Sequence, residues 1–138
     1  MITKKVNRYY CEFCKKANCS ASSISRHEKA CTMNPDRVCK MCKMLDFSQP
    51  KIGELLEILP TPHIGEDDFG VTIINIQEAE NVMDKLRSAT EDCPACIMAA
   101  IRQKGFPVPA IESFNFTKEC GIWWAEFNEA QPADVYYG

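Results

Sequence analysis

Nine cysteines fall in this chain of 138 residues, and six of them form three Cys-x-x-Cys pairs: Cys11/Cys14, Cys39/Cys42 and Cys93/Cys96. Two intervening residues let a tight turn aim both sulfurs at one point, so each pair calls for a metal ion or a redox disulfide. The chain opens Met1-Ile2-Thr3-Lys4-Lys5 without the apolar core of an export signal. It also holds no run of about 18 apolar residues for a membrane span. The expectation is a cytoplasmic protein with no membrane association, in a reducing compartment where such pairs serve as metal ligands rather than stable disulfides.

Twelve residues separate Cys14 from His27, and three separate His27 from Cys31. The last two share one face of a helix on adjacent turns, and the gap of twelve leaves room for a hairpin return and a helix start. Residues 9 to 44 hold six of the nine cysteines and few large aliphatics. Such a stretch cannot close a hydrophobic core alone and needs metal to fold, which for small structural zinc sites supplies an apparent free energy of about 10 to 16 kcal/mol.

Over about residues 9 to 31 these residues resemble the Cys-Cys-His-His zinc-finger family in its variant with a final Cys. Tyr10 stands at the aromatic position just before the first ligand, and Ile24 stands where the family's helix leucine lies. The resemblance implies a ββα unit folded on zinc. The family's inner aromatic is Asn18 here, which thins the small core and leaves a gap for Cys19 to fill in part. In members that read DNA the base-facing positions correspond to Ser20, Ser23 and Arg26, of which only Arg26 can make the two-bond guanine contact. Lys4, Lys5, Arg8, Lys15, Lys16 and Lys29 suit phosphates without sequence preference. The expected nucleic-acid contacts are therefore Lys15, Lys16, Arg26 and Lys29.

Cys39, Cys42, Cys93 and Cys96 make the two halves of a four-cysteine zinc site, with Cys93-Pro94-Ala95-Cys96 at a helix start where the partial positive charge favours thiolates. Fifty residues separate the halves, so zinc would pin the segment after the finger onto the later helices. Other pairings stay open: Cys11/Cys14 with Cys39/Cys42 on one ion would free His27 and Cys31. His63 is a reserve ligand, and Cys19 and Cys120 read as small core residues. A thioredoxin-like redox motif at Cys93/Cys96 is the competing reading, but a helix rather than a strand is expected before it.

Beyond the cysteines, Ile52, Leu55, Leu56 and Leu59 mark a short helix ended by Pro60 and Pro62. Residues 61 to 70 read as a solvated acidic loop, and 70 to 75 as a short strand. Asn75 with Glu78 suggests a capping box opening a helix through Ala79, Val82, Met83, Leu86 and Ala89. Another helix starts at Pro94 and stops at Gly105. The last begins near Thr117, its aromatics Trp123, Trp124 and Phe127 expected in the core. The predicted fold is mainly α, small α+β: a ββα-like finger followed by a metal-stapled helical domain of about four helices. Residues 1–38 form the basic finger module, and 39–138 the acidic helical domain.

The net charge of −3 conceals a division. Residues 1 to 45 carry ten Lys or Arg against three acids, and residues 46 to 138 carry six against sixteen. One end suits a polyanion and the other repels or imitates one. The stretch from Cys11 through Cys42, with Cys93-Pro94-Ala95-Cys96-Ile97-Met98-Ala99-Ala100-Ile101-Arg102-Gln103, also looks like small zinc-finger proteins of bacteriophages and mobile elements. That likeness implies a viral or accessory-genome origin and action inside a host cell. The expected function is a non-enzymatic module holding two zinc ions and binding nucleic acid, a protein partner or both, with no small-molecule substrate. A protein-binding inhibitor of a host defence system, of the anti-CRISPR type, is the alternative, and a thiol redox protein the third.

Overall fold

The structure is a computed structural model and describes residues 1–46 and 48–130, without the side chain of Ala130. The end of the expected helical domain, residues 131–138, lies outside the described residues. Strand β1 (Tyr9–Tyr10) pairs antiparallel with β2 (Ala17–Asn18), Tyr9 opposite Asn18 and Tyr10 opposite Ala17. Helix α1 (Ala21–Ala30) follows. Ser20 caps it by accepting the Ser23 amide on Oγ at 3.2 Å, which satisfies one of the unpaired first-turn N–H groups. Ile24 is the buried residue of α1, so the helix-leucine position does enter the core. Tyr10 does not, being 58% exposed, and Cys19 is exposed rather than filling the gap beside Asn18.

The remainder is helical around α6 (Pro94–Lys104), whose Cys96, Ile97, Ala99, Ala100 and Ile101 are all buried. Pro94 opens it in the first turn, where no N–H is required. Gly105 closes it at φ 104°, with the Phe106 amide reaching back to the Ile101 carbonyl at 3.1 Å. Packed on α6 are Leu55 and Leu59 from α3 (Ile52–Ile58) and its end, Met83 and Leu86 from α5 (Met83–Thr90), and Phe106, Ile111 and Phe114 from the segment after α6. Each such side chain contributes about 1.5–3 kcal/mol on burial. Cys39, Cys42, Cys93 and Cys96 belong to this same core.

Mainly α with small β is what the sequence predicts, but several local readings change. Among the described residues six helices stand outside the ββα unit where about four are expected: α2 (Lys40–Met44) is additional, and the helix after Asn75 is two, α4 (Ile76–Asn81) and α5. Val82, at φ −107° and ψ 4°, turns the chain between them so that Ala79 and Met83 both reach the core. No capping box forms. Asn75 Oδ1 accepts the His63 amide, while its Nδ2 donates to Glu78 Oε2 at 2.7 Å.

Residues expected as a solvated loop contain a strand, β3 (Ile64–Glu66), paired antiparallel with β4 (Thr72–Ile74). The acids read as solvation build its turn: Asp67 Oδ1 accepts the amides of Phe69 and Val71, both at 2.9 Å, and Gly70 takes φ 77°. The last helix, α7 (Phe116–Ala130), starts one residue before the expected position. Its Trp123 is buried and stacks on Phe127 at 5.4 Å, but Trp124 is exposed and does not anchor the core.

The ββα unit is fastened to the helical body at the far end of α6. Arg102 Nη1 donates to Thr32 Oγ1 at 2.6 Å, and Gln103 Nε2 donates to the carbonyls of Thr32 and Asn34 at 2.8 and 3.1 Å. Buried Asn34 in turn donates to the Glu28 carbonyl at 2.7 Å. Among the described residues no helix is long and apolar enough to cross a membrane.

Candidate metal centres

Two groups of four donors converge in the fold, Cys11 with Cys14, His27 and Cys31, and Cys39 with Cys42, Cys93 and Cys96. Within each group the ligating atoms all lie within 4.8 Å of one another. The eight residues expected as ligands are thus brought together in the expected pairing. Sharing of an ion by Cys11/Cys14 and Cys39/Cys42 is not what the fold builds, and His63, exposed beside the hairpin, joins neither group.

In the first group the donors come from a turn and a helix. The Cys11 amide donates to the Lys16 carbonyl at 2.8 Å and the Lys15 amide to the Cys11 carbonyl at 3.0 Å, closing the turn that carries Cys11 and Cys14. Lys15 takes φ 66° to complete it. Helix α1 brings His27, whose Nε2 lies 3.1 Å from Cys14 Sγ, and ends at Cys31. Burial opposes charge on Cys11, but the backbone amides of Cys14 and Phe13 outweigh it and hold its thiol below the ordinary value. Burial pushes Cys31 up to about 11.

The second group is wholly buried and belongs to two helix starts. Cys39 is the N-cap of α2, its Sγ accepting the Cys42 amide at 3.4 Å, and Cys93 is the N-cap residue of α6 with Cys96 one turn on. Cys39 Sγ lies 3.5 Å from Cys93 Sγ, and Cys42 Sγ 3.6 Å from Cys96 Sγ. A disulfide requires about 2.05 Å. A tetrahedral ion with bonds of about 2.3 Å to sulfur sets its ligands about 3.8 Å apart, close to the observed edges. The two clusters fit two zinc ions.

The electrostatics of the second cluster ask for a dication. Hydrogen bonds from the Cys93 and Cys96 thiols hold Cys39 well below the usual thiol range. Burial, then the nearby charges of Cys96 and Cys39, push Cys42 up to about 12. Cys93 and Cys96 are also raised, first through their hydrogen bonds to Cys39. Burial and mutual repulsion oppose ionisation of all four sulfurs together without a cation between them, so binding zinc expels protons. Uptake of zinc by the metal-free protein at neutral pH is therefore expected to release protons from this cluster. A pH indicator in weakly buffered solution measures this, and zinc binding without proton release would contradict it.

Arg37 is not singled out by the sequence, yet it is 6% exposed and its Nη1 donates to Cys96 Sγ at 3.7 Å. Burial alone would lower its pKa, but the bond to Cys96 and the charge of Cys39 raise it. Its Nε has no partner among the described residues. Gln49 holds the segment in place, accepting from the Cys39 amide and donating to the Arg37 carbonyl at 2.9 Å. Four thiolates around one dication carry two excess negative charges, and a buried guanidinium against the sulfurs offsets part of that excess. The usable signal was position: Arg37 lies two residues before Cys39.

Comparison with family models, curated proteins and solved structures finds no match.

The expected nucleic-acid residues are all exposed: Lys15 and Lys16 flank the Cys11–Cys14 turn, and Arg26 and Lys29 lie on α1. Two are engaged by their own backbone, Lys15 Nζ donating to the Glu12 carbonyl at 3.0 Å and Arg26 Nε to the Ser22 carbonyl at 3.4 Å. Cys93 and Cys96 are both buried and share a core with Leu86 and Ile97. That setting suits a structural ligand better than a redox thiol, which needs access.

Proposed function

We propose that the chain is a non-enzymatic binding module folded on two zinc ions, whose basic ββα unit rests on nucleic-acid phosphates and whose acidic helical body is offered to a protein partner. The unit is akin in plan to zinc fingers that end in Cys. The division of charge carries the reading, ten cations against three acids up to residue 45 and six against sixteen beyond it. Hydrogen bonds from Arg102 and Gln103 to the Thr32–Asn34 segment make the two oppositely charged parts one connected body. Binding of this kind is electrostatic and releases counterions, so it weakens as salt rises. Titration of the zinc-loaded protein with duplex and single-stranded oligonucleotides across a salt series is expected to give a linear fall of log affinity with log salt. Lys16→Ala should weaken all sequences alike and flatten the slope by about 1. Affinity independent of salt, or no binding, would remove the nucleic-acid half of this reading.

A second reading rests on the acids. Residues 46 to 138 carry ten more acids than bases, as a surface occupying a basic nucleic-acid channel requires. On that reading the chain is a phage-encoded inhibitor of a host defence nuclease, of the anti-CRISPR type, and inhibition falls when acids such as Glu126 and Glu129 are neutralised.

A further inference from the structure

We propose that the ββα unit takes single-stranded rather than duplex nucleic acid, stacking unpaired bases on the rings of Tyr9, Tyr10 and Phe13; this rests on the nucleic-acid reading above. The three rings fall within five residues and are 37%, 58% and 37% exposed. One exposed aromatic is ordinary, but three within five residues leave this small unit with rings on the surface that its own core does not cover. Their support is stiff. Tyr9 and Tyr10 form β1, paired to β2, and Phe13 sits in the turn between Cys11 and Cys14, which the first zinc site and the Cys11–Lys16 backbone bond fix from both ends.

Cations bracket the rings in sequence. Lys4, Lys5 and Arg8 precede them and Lys15 and Lys16 follow, all exposed, against the single acid Glu12. The other nearby carboxylate, Glu28, accepts the Glu12 amide at 2.9 Å. Rings flanked by cations are what a single strand needs, because every base has a face to stack and every linkage a phosphate to hold. In a duplex those faces are already stacked on one another, and only base edges and backbone are offered.

The helix is poorly equipped for the edges. Ser20 Oγ accepts the Ser23 amide as the N-cap and also meets Ser22 Oγ at 3.1 Å, while Arg26 Nε is turned to the Ser22 carbonyl. Of the three positions a groove-reading helix would use, one is spent on capping and another is partly engaged by its own helix. The exposed chemistry of the unit lies at β1 and the following turn.

Fluorescence anisotropy of the full zinc-loaded chain with a labelled deoxythymidine oligomer and with a mixed-sequence duplex of equal length tests this. The single strand is expected to bind at least about 10-fold tighter at equal salt. Tyr10→Ala and Phe13→Ala should each weaken the single strand about 10-fold and leave the duplex unchanged. Tyr10→Trp should restore the single-strand affinity, a recovery that a purely structural role of Tyr10 would not give, and retained zinc in each variant reports folding. Duplex binding as tight as single-strand binding, or alanine variants that bind like the parent, would overturn the stacking proposal and leave phosphate binding standing. Failure to bind either oligonucleotide would overturn both.

Discussion

Replacement of Cys96 by serine is expected to unfold the helical body and release its zinc. Cys96 is buried on α6, the helix around which α3 and α5 pack, and it faces Cys42 across 3.6 Å. A serine hydroxyl stays protonated at neutral pH and is a poor ligand for zinc, so the ion would lose one of its four donors. The three remaining sulfurs would then sit in an apolar core with incomplete charge compensation, and Arg37 would face a neutral hydroxyl instead of a thiolate. Breaking a buried charge set in this way costs about 3–5 kcal/mol before lost metal affinity is counted. A domain of this size has about 5–15 kcal/mol in total. The variant should show a melted far-UV circular dichroism signal at temperatures where the parent is folded, and immediate zinc release to a chromogenic chelator. Cys19→Ser is the matched control: the thiol is exposed and outside both clusters, so the change should stay within about 0.5 kcal/mol. A Cys96→Ser protein as stable as the Cys19→Ser protein would contradict a structural role for the site.

Arg37→Met is expected to be nearly as damaging although no ligand is touched. Methionine keeps the apolar stem of the side chain but removes the guanidinium, and with it both the charge and the bond to Cys96. Two excess negative charges at the four-sulfur site would then lack the buried cation that lies 3.7 Å from Cys96. Changes of this kind in the shell behind metal ligands lower metal affinity about 10- to 100-fold. Arg37→Lys should fall between the two, since the charge remains but the planar fork that addresses Cys96 and Cys39 is lost. Competition with a chelator of known affinity measures both. Unchanged zinc retention in Arg37→Met would mean that the sulfur cluster needs no balancing cation.

The ligand sets were legible because metal coordination is encoded in short spacings, two between cysteines and three between His27 and Cys31, that survive whatever the rest of the chain does. Helix existence was legible for the same local reason: the apolar spacing of Ile52 to Leu59 and the Pro94 to Gly105 punctuation place α3 and α6 to within a residue. What failed depends on partners distant in sequence. Gly65-Glu66-Asp67-Asp68 has a loop's composition, and only pairing with Thr72–Ile74 makes part of it a strand. Val82 sits inside an unbroken helical pattern, and the need to aim Ala79 and Met83 into one core breaks it. Nothing local in the sequence marks Arg37 as buried, because its partner, Cys96, lies 59 residues away. Tyr10 and Cys19 stand at positions that suit a small core, but that core is built on Ile24 and the ligands, and both side chains remain outside it.

Native mass spectrometry of the folded protein, compared with its acid-denatured mass, addresses the two-site architecture most directly. The donor sets of Cys11, Cys14, His27, Cys31 and of Cys39, Cys42, Cys93, Cys96 call for two zinc ions per chain, lost together with the native charge distribution on acidification. A native-like chain that carries no metal, with its thiols free or joined as disulfides, would contradict it.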